Sequence, residues 1–422
     1  MYILVLDTIH GGEEIARHLE KSGHKCDLVD IYRHEKGISE EQAKKNRYDL
    51  IIAPVHLDPN HPLLNYSDAP VITHHKAAAM IINGSINGKS GALKSRTPCI
   101  SVEITGSRGK TTTAFALSHV LSKKGILHTS KGTLKIPENE ILFKMSITPA
   151  SVINAAISAF DDKRWLIAEE SLGVAGFSDL CILTSDEDYS FAGKTKSALF
   201  EKIKSLKECK RVLLAPGVLI SDTDLTVIGA THAENLVSVE NDSCFYSYED
   251  TPGNTVAGSF SNPLLLLEGY REAIMTAAAA GCILGENPKG LANFMPVEGR
   301  MSVSKEEDRY IIDNSNSGVN KNTAVMAASY AGKISGDSKI TLVIGIEAEN
   351  ICEGFSPNDV SLAIREIKPK SAVIVGDSLK CIKPGDFNGI SVYYEQNLDL
   401  GRKTALEKTD CGSIVLCVKT WR

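Results

Sequence analysis

Short apolar runs recur along the chain, separated by stretches with a helical period, which is the pattern of a parallel α/β protein. The first run, Tyr2 to Leu6, ends at a Gly-Gly turn. Ile15, Ala16 and Leu19 then mark one face of a helix that Gly23 stops. Further strands are expected at Cys26 to Val29 and at Asp49 to Ala53, completing a small α/β unit. Residues 83–98, NGSINGKSGALKSRTP, are rich in Gly, Ser and Lys and read as a linker.

Beyond it, CISVEIT, Trp165 to Ala168, Leu180 to Leu183 and Arg211 to Ala215 are expected as strands. An alanine-rich helix is expected from about Leu266 to Leu284, stopped by Gly285 and Pro288. A third unit begins near Val297, with strands expected at Tyr310 to Ile312, Ile340 to Ile344, Ser371 to Val375 and Ser413 to Val418. The expected organisation is therefore α/β throughout, in three domains spanning 1–95, 96–296 and 297–422.

At 422 residues with 43% hydrophobic residues, the chain has material for more than one core. Its net charge of -6 argues against a sequence-independent grip on nucleic acid, which needs a basic surface. The ten cysteines are scattered with no Cys-x-x-Cys, so they read as reduced thiols rather than disulfides or a zinc site. The N-terminal MYILVLDTIHGG lacks the features of a secretory signal, and no apolar run approaches membrane-spanning length. A cytoplasmic protein without a membrane partner, as a monomer or weak homodimer, is expected.

The chemistry concentrates at residues 106–113, GSRGKTTT, between an apolar run and a helical stretch. The standard phosphate loop is Gly-x-x-x-x-Gly-Lys-Ser/Thr, but its first glycine would fall at Ile104. The shorter Thr-Gly-x-x-Gly-Lys-Thr-Thr keeps the physics. Gly106, Ser107, Arg108 and Gly109 let backbone N–H groups approach phosphate oxygens. The following helix start, with Thr112 in its first turn, adds partial positive charge; Lys110 adds a point charge and Thr111 a ligand for Mg²⁺. WLIAEESLG puts Glu169 and Glu170 at a strand end, where one of them is expected to face the metal. After CILT follow Asp186, Asp188, Lys194 and Lys196, on what reads as a helix start.

This ordered set resembles the Mur ligase superfamily, the ATP-dependent ligases that include the cell-wall peptide ligases and folylpolyglutamate synthetase. TGSRGKTT matches the family's short phosphate loop, where asparagine is commoner than Arg108. SITPAS, residues 146–151, is similar to its Thr-Pro loop, AEES to its metal-binding Glu-x-Ser, and PVEGRMSV to its third-domain boundary. The resemblance implies a three-domain Mur ligase-like architecture: a Rossmann-like N-terminal domain, a central P-loop ATPase domain with a mostly parallel sheet, and a Rossmann-like C-terminal domain. It further implies Glu169 at Mg²⁺, a carbamylated Lys196 at a second Mg²⁺, Arg300 contacting ATP, and Asp313 holding the ribose. Two departures stand out. Tyr189 and Asn316 occupy positions where the family has histidines, and FSNPLLLL lacks the asparagine that usually approaches adenine.

Within the superfamily, HGGEEIARHLEKSGH, ITHHKAA, HTSKGT and DNSNSGVN are similar to the members that close a carbocyclic ring on a nickel tetrapyrrole. The implied chemistry is attack of a propionate on the ATP γ-phosphate, then displacement of phosphate by a ring carbon. An amide ligase adding an amino acid is the nearest alternative, and a non-catalytic nucleotide-binding regulator a more distant one. Ten of the eleven histidines precede residue 129. His10, His56, His61, His74 and His75 are candidates to sit axial to a substrate nickel, although a lone histidine is more often an ordinary core or surface residue.

Overall fold

The computed structural model describes residues 1–86, 99–251, 253–336, 339–347 and 355–420. Most of the expected linker, residues 87–98, lies outside them, as does the expected first domain boundary at residue 95. Two compact units are present, Met1–Phe294 and Met295–Arg422.

The first unit holds two main sheets. In the N-terminal one, four parallel strands lie in the order Lys25–Val29, Tyr2–Leu6, Leu50–Ala53, Val71–Thr73. Because strand side chains alternate between faces, each strand feeds two cores. Ile3, Val5 and Ile52 face helices Gly12–Lys21 and His74–Asn83, while Leu4, Leu6 and Ile51 pack with Val29, Ala43 and Leu63 on the other side. The last strand and helix, VITHHKAAAM, were not anticipated. The strand is three residues long, too short for a period to register.

The larger sheet has eight strands. Ala230–His232, Val212–Leu214, Leu180–Leu183, Ser101–Thr105, Trp165–Glu169 and Gly125–Thr129 run parallel; the antiparallel Gly132–Ile136 and Glu140–Phe143 extend one edge. Helix Pro149–Asp161 begins at the Thr148 capping box and buries Val152, Ala156 and Phe160. These residues share one hydrophobic cluster with Ile15, Ala78 and Ile82, so the two sheets are joined through packed helices. The alanine-rich helix runs Glu268–Leu284, two residues later than expected, because Pro263–Leu266 forms a 3₁₀ turn first. Its small buried face packs on the helix after the phosphate loop. An antiparallel sheet of Val237–Glu240, Ser243–Thr251 and Asn254–Ser261 was not foreseen from the sequence.

In the second unit, Ser302–Glu306 pairs antiparallel with Arg309–Asp313. Parallel strands Gly412–Lys419, Ile340–Ile346, Ser371–Val375 and Ser391–Glu395 follow in that order. The α/β class and the three sheets with helical crossovers are as the sequence led us to expect. Among the described residues, no helix is long and apolar enough to cross a membrane.

Candidate active site

The phosphate loop joins Ser101–Thr105 to helix Lys110–Ser118, at the carboxyl ends of the parallel strands. Gly106 and Gly109 have φ of 147° and 82°, and a Cβ at Gly106 would lie 2.2 Å from Thr184 Oγ1. Glycine is therefore required by space as well as by conformation. Thr184, ending the neighbouring strand, ties the loop down by donating to Thr105 O and Arg108 O at 3.1 and 2.5 Å. Ser185 Oγ accepts the N–H groups of Ser107 and Arg108 at 2.8 and 3.1 Å. The first-turn N–H groups of Lys110, Thr111 and Thr112 open towards the loop, as in any helix start.

Lys110 Nζ donates to Gly106 O at 2.9 Å and stands 3.9 Å from Glu169 Oε1. Thr111 Oγ1 donates to Glu169 Oε2 at 2.8 Å, and Ser130 N donates to the same oxygen at 3.2 Å. Three predicted residues, two adjacent in the phosphate loop and one from a neighbouring strand end, thus meet in one cluster. A hydroxyl and a carboxylate are hard oxygen donors, the set that suits Mg²⁺ held jointly with phosphates.

Glu170 goes elsewhere. Consecutive residues at a strand end point to opposite faces, and its fully buried side chain lies against Glu103. Burial, then the charge and hydrogen bond of Glu103, push the Glu170 carboxyl well above the ordinary glutamate range. Glu103 itself accepts N–H groups from Gly176 and Ser178.

Lys196 lies on a two-residue ribbon, Ser190–Phe191 with Lys196–Ser197, just before helix Ala198–Leu206. Its Nζ donates to Val55 O at 2.7 Å, and burial lowers its ammonium pKa. The lysine that reaches the phosphate loop is Lys202, which none of the sequence motifs singles out. It is 1% exposed, and its Nζ donates to Ser107 Oγ at 2.7 Å. A signal existed: Ala198, Lys202 and Leu206 form one buried stripe at i, i+4, i+8, where a lysine is out of place unless it has a task.

Arg108 is held by Glu187 and by Glu272 of the alanine-rich helix. Asp188 accepts from Ser197 Oγ and Leu199 N, capping the helix after the ribbon. Asn262 of FSNP is buried, donating to Leu291 O and Phe294 O. In the second unit, Asp313 ends its strand and accepts from Ser315 N at 2.9 Å. Arg300 bonds Asn316 Oδ1, whose amide donates to Gly299 O. At the position where the resemblance implies a histidine, Asn316 orders the arginine's own loop.

The histidine candidates separate clearly. His74 Nε2 bonds Leu6 O, His75 Nε2 bonds Ser171 O, and His61 caps a 3₁₀ turn. Burial pushes His74 and His75 down to about 4. His10 and His56 instead stack on one another at the mouth of the N-terminal sheet, with ring centroids 4.2 Å apart.

Residues 303–420 match the family model described as coenzyme F430 synthetase CfbE, C-terminal domain. The coenzyme F(430) synthetase of Methanosarcina acetivorans is 29% identical, over 100% of this chain and 98% of its own length. Among solved structures, a bifunctional folylpolyglutamate synthase/dihydrofolate synthase with Mn, AMPPNP and L-glutamate bound superimposes with a TM-score of 0.57, at 12% identity over 82% of this chain and 91% of its own. The UDP-N-acetylmuramoylalanyl-D-glutamyl-2,6-diaminopimelate–D-alanyl-D-alanyl ligase of Acinetobacter baumannii gives 0.57 at 15% identity, over 91% and 83%. The resemblance read from the motifs is borne out: the chain has the Mur ligase fold, and its sequence is similar to coenzyme F(430) synthetases.

Proposed function

From a chain with the Mur ligase fold that resembles a coenzyme F(430) synthetase along its whole length, we propose an ATP-dependent ligase that activates a substrate carboxylate as an acyl phosphate. The observation that carries this reading is the buried cluster of Lys110, Thr111 and Glu169 at the phosphate loop. The substrate we propose is the nickel-containing seco-F(430) precursor. Its propionate is activated, and a carbon of the same molecule then closes a ring as a ketone, forming a carbon–carbon bond with release of ADP and phosphate. The division at 1–95, 96–296 and 297–422 gives a substrate-binding, an ATP-binding and a ligase domain. The protein acts in the cytoplasm as a monomer or weak homodimer.

Phosphoryl transfer depends on positioning and charge neutralisation. Lys110 and the helix N-terminus hold the phosphates, and Lys202, bonded to Ser107 Oγ, adds a second cation at the loop. Thr111 and Glu169 would hold Mg²⁺, which supplies neutralisation of phosphate charge when bound. Lys196, carbamylated, would offer a second metal site, and its lowered ammonium pKa favours the neutral amine that carbamylation requires. Arg300 and Asp313 are assigned to ATP and its ribose.

The test is mass spectrometry of small molecules after incubation with Mg·ATP and the seco precursor, with and without amino acids. A product one water lighter than the precursor, formed with ADP and phosphate and without amino acid, is expected. A product formed only with an amino acid, and heavier by its residue, would make the protein an amide ligase instead.

A further inference from the structure

In the N-terminal sheet the chain leaves Tyr2–Leu6 towards one side and later returns as Leu50–Ala53 on the other. Such a reversal opens a crevice at the carboxyl ends of the two central strands, the usual ligand position in an open parallel sheet. Asp7 follows the first of these strands, and Pro54, Val55 and His56 follow the second.

Asp7 is fully buried and has φ of 83°, a conformation that a residue other than glycine holds only when its surroundings impose it. Its carboxylate accepts Ile9 N at 2.6 Å, His10 N at 3.0 Å and His10 Nδ1 at 2.5 Å. Burial alone would raise this carboxyl; the His10 hydrogen bond and charge and the Ile9 N–H outweigh it and hold the pKa below the ordinary value. With Nδ1–H committed to Asp7, Nε2 is the basic nitrogen of His10. It meets no hydrogen-bond partner among the described residues, and the side chain is 24% exposed. His56 covers one face of the ring at an interplanar angle of 15°, and Tyr32 meets it edge-on at 5.6 Å. Burial and neighbouring histidines push His56 down to about 3, so this stacked ring stays neutral.

The pair adjoins two loops of the central sheet. A Cβ on Gly11 would lie 2.4 Å from Ala150 Cβ and 3.2 Å from Thr148 Oγ1, so the turn carrying His10 rests on the Thr-Pro loop. His56 meets Phe191 edge-on at 6.0 Å, Phe191 pairs across its ribbon with Lys196, and Lys196 bonds the carbonyl next to His56.

We propose that His10, positioned by Asp7, accepts the proton lost by the acyl acceptor during ligation. This inference rests on the ligase reading above. In the first step a carboxylate oxygen bonds to the γ-phosphorus and the bond to ADP breaks. In the second the acceptor's C–H bond breaks, its electron pair forms the new bond to the acyl carbon, and the phosphate leaves with the C–O pair. The released proton goes to His10 Nε2 and from there to solvent. The phosphate-loop groups are ill suited to take it, since Lys110 is a cation and Glu169 already accepts from Thr111 and Ser130.

The experiment separates the two steps with seco precursor and Mg·ATP, scoring acyl phosphate as hydroxamate trapped by hydroxylamine and ring closure by mass spectrometry. His10→Gln is expected to form hydroxamate within about threefold of the native rate while ring closure falls by about 10²–10⁴-fold. Asp7→Asn, tolerable at a positive φ, is expected to show the same split. The pH profile of its ring closure moves while that of hydroxamate formation stays. The ionisable groups facing His10 are Asp7, Tyr32, His56 and His74, so Tyr32→Phe serves as the control that leaves the profile in place. Ring closure by His10→Gln within twofold of native, or an equal fall in both products, would overturn the proposal. A native protein that forms no hydroxamate at all would instead overturn the ligase reading beneath it.

Discussion

Two strand-end sites lie in the first unit, and they differ in how their parts are brought together. The phosphate loop of the central sheet is contiguous: Gly106 to Thr112 supply glycines, backbone N–H groups, a lysine and a hydroxyl from seven adjacent residues. The N-terminal site draws Asp7 and His10 from one strand end and His56 from another. The difference follows from the ligands. A phosphate is best surrounded by successive backbone amides, which only a local loop can offer, whereas a proton-transfer pair needs side chains that topology can gather from anywhere.

The comparison breaks most easily at Lys110. If the contiguous site carries the chemistry, Lys110→Ala lowers turnover by about 10³-fold or more, equivalent to about 4 kcal/mol of transition-state stabilisation. Urea unfolding should be almost unchanged. Turnover within tenfold of native would take the phosphate loop out of the mechanism.

Gly11 is where the turn of the N-terminal site rests on the Thr-Pro loop of the central sheet, so it reports on that contact. Its φ of 96° and the 2.4 Å approach to Ala150 make Gly11→Ala destabilising by about 2–4 kcal/mol, from left-handed strain plus overpacking. Gly23→Ala is the matched control. Its φ is 89°, but a Cβ there meets nothing within 4 Å, so the strain of about 1 kcal/mol is all that is expected. Equal losses in urea melts of the two variants would mean that the contact with the Thr-Pro loop contributes nothing.

The same contrast governs what could be read in the sequence. Long apolar runs such as Ile340–Ile346 and the glycine-punctuated phosphate loop carry their own local signal. So does Glu169, which ends an apolar strand. Val71–Thr73 is too short for alternation to show, and in the antiparallel strands Ser243–Thr251 and Asn254–Ser261 the exposed Phe245 and Ala257 blur the alternation of apolar and polar positions. Lys202 was hidden for another reason: a lysine among Lys194, Lys196 and Lys204 reads as one of a solvated set until the helix register puts it alone on the buried face. His10 had a sequence neighbour in Asp7, but nothing in the spacing of the two shows that a left-handed turn closes them to 2.5 Å.

The finest form of the comparison is between neighbours, Glu169 and Glu170. Glu169→Gln should leave folding nearly intact and cut turnover severely, because it removes the charge facing Lys110 and Thr111. Glu170→Gln should do the reverse. The Glu170 carboxyl is raised above its ordinary value of 4.5 by burial and by Glu103, so the folded chain holds a proton that the unfolded chain releases above about pH 4.5. Its contribution to stability is therefore complete below that pH and declines as pH rises towards the folded-state value. A glutamine imitates the protonated acid and has no proton to lose. Urea midpoints measured at about pH 5 and pH 8 should fall less with pH in Glu170→Gln than in the native protein, with the variant the more stable at the higher pH and near-native turnover throughout. If both proteins lose stability equally between these pH values, Glu170 is ionised in the fold, and the two adjacent carboxylates are not divided between metal site and core as their contacts indicate.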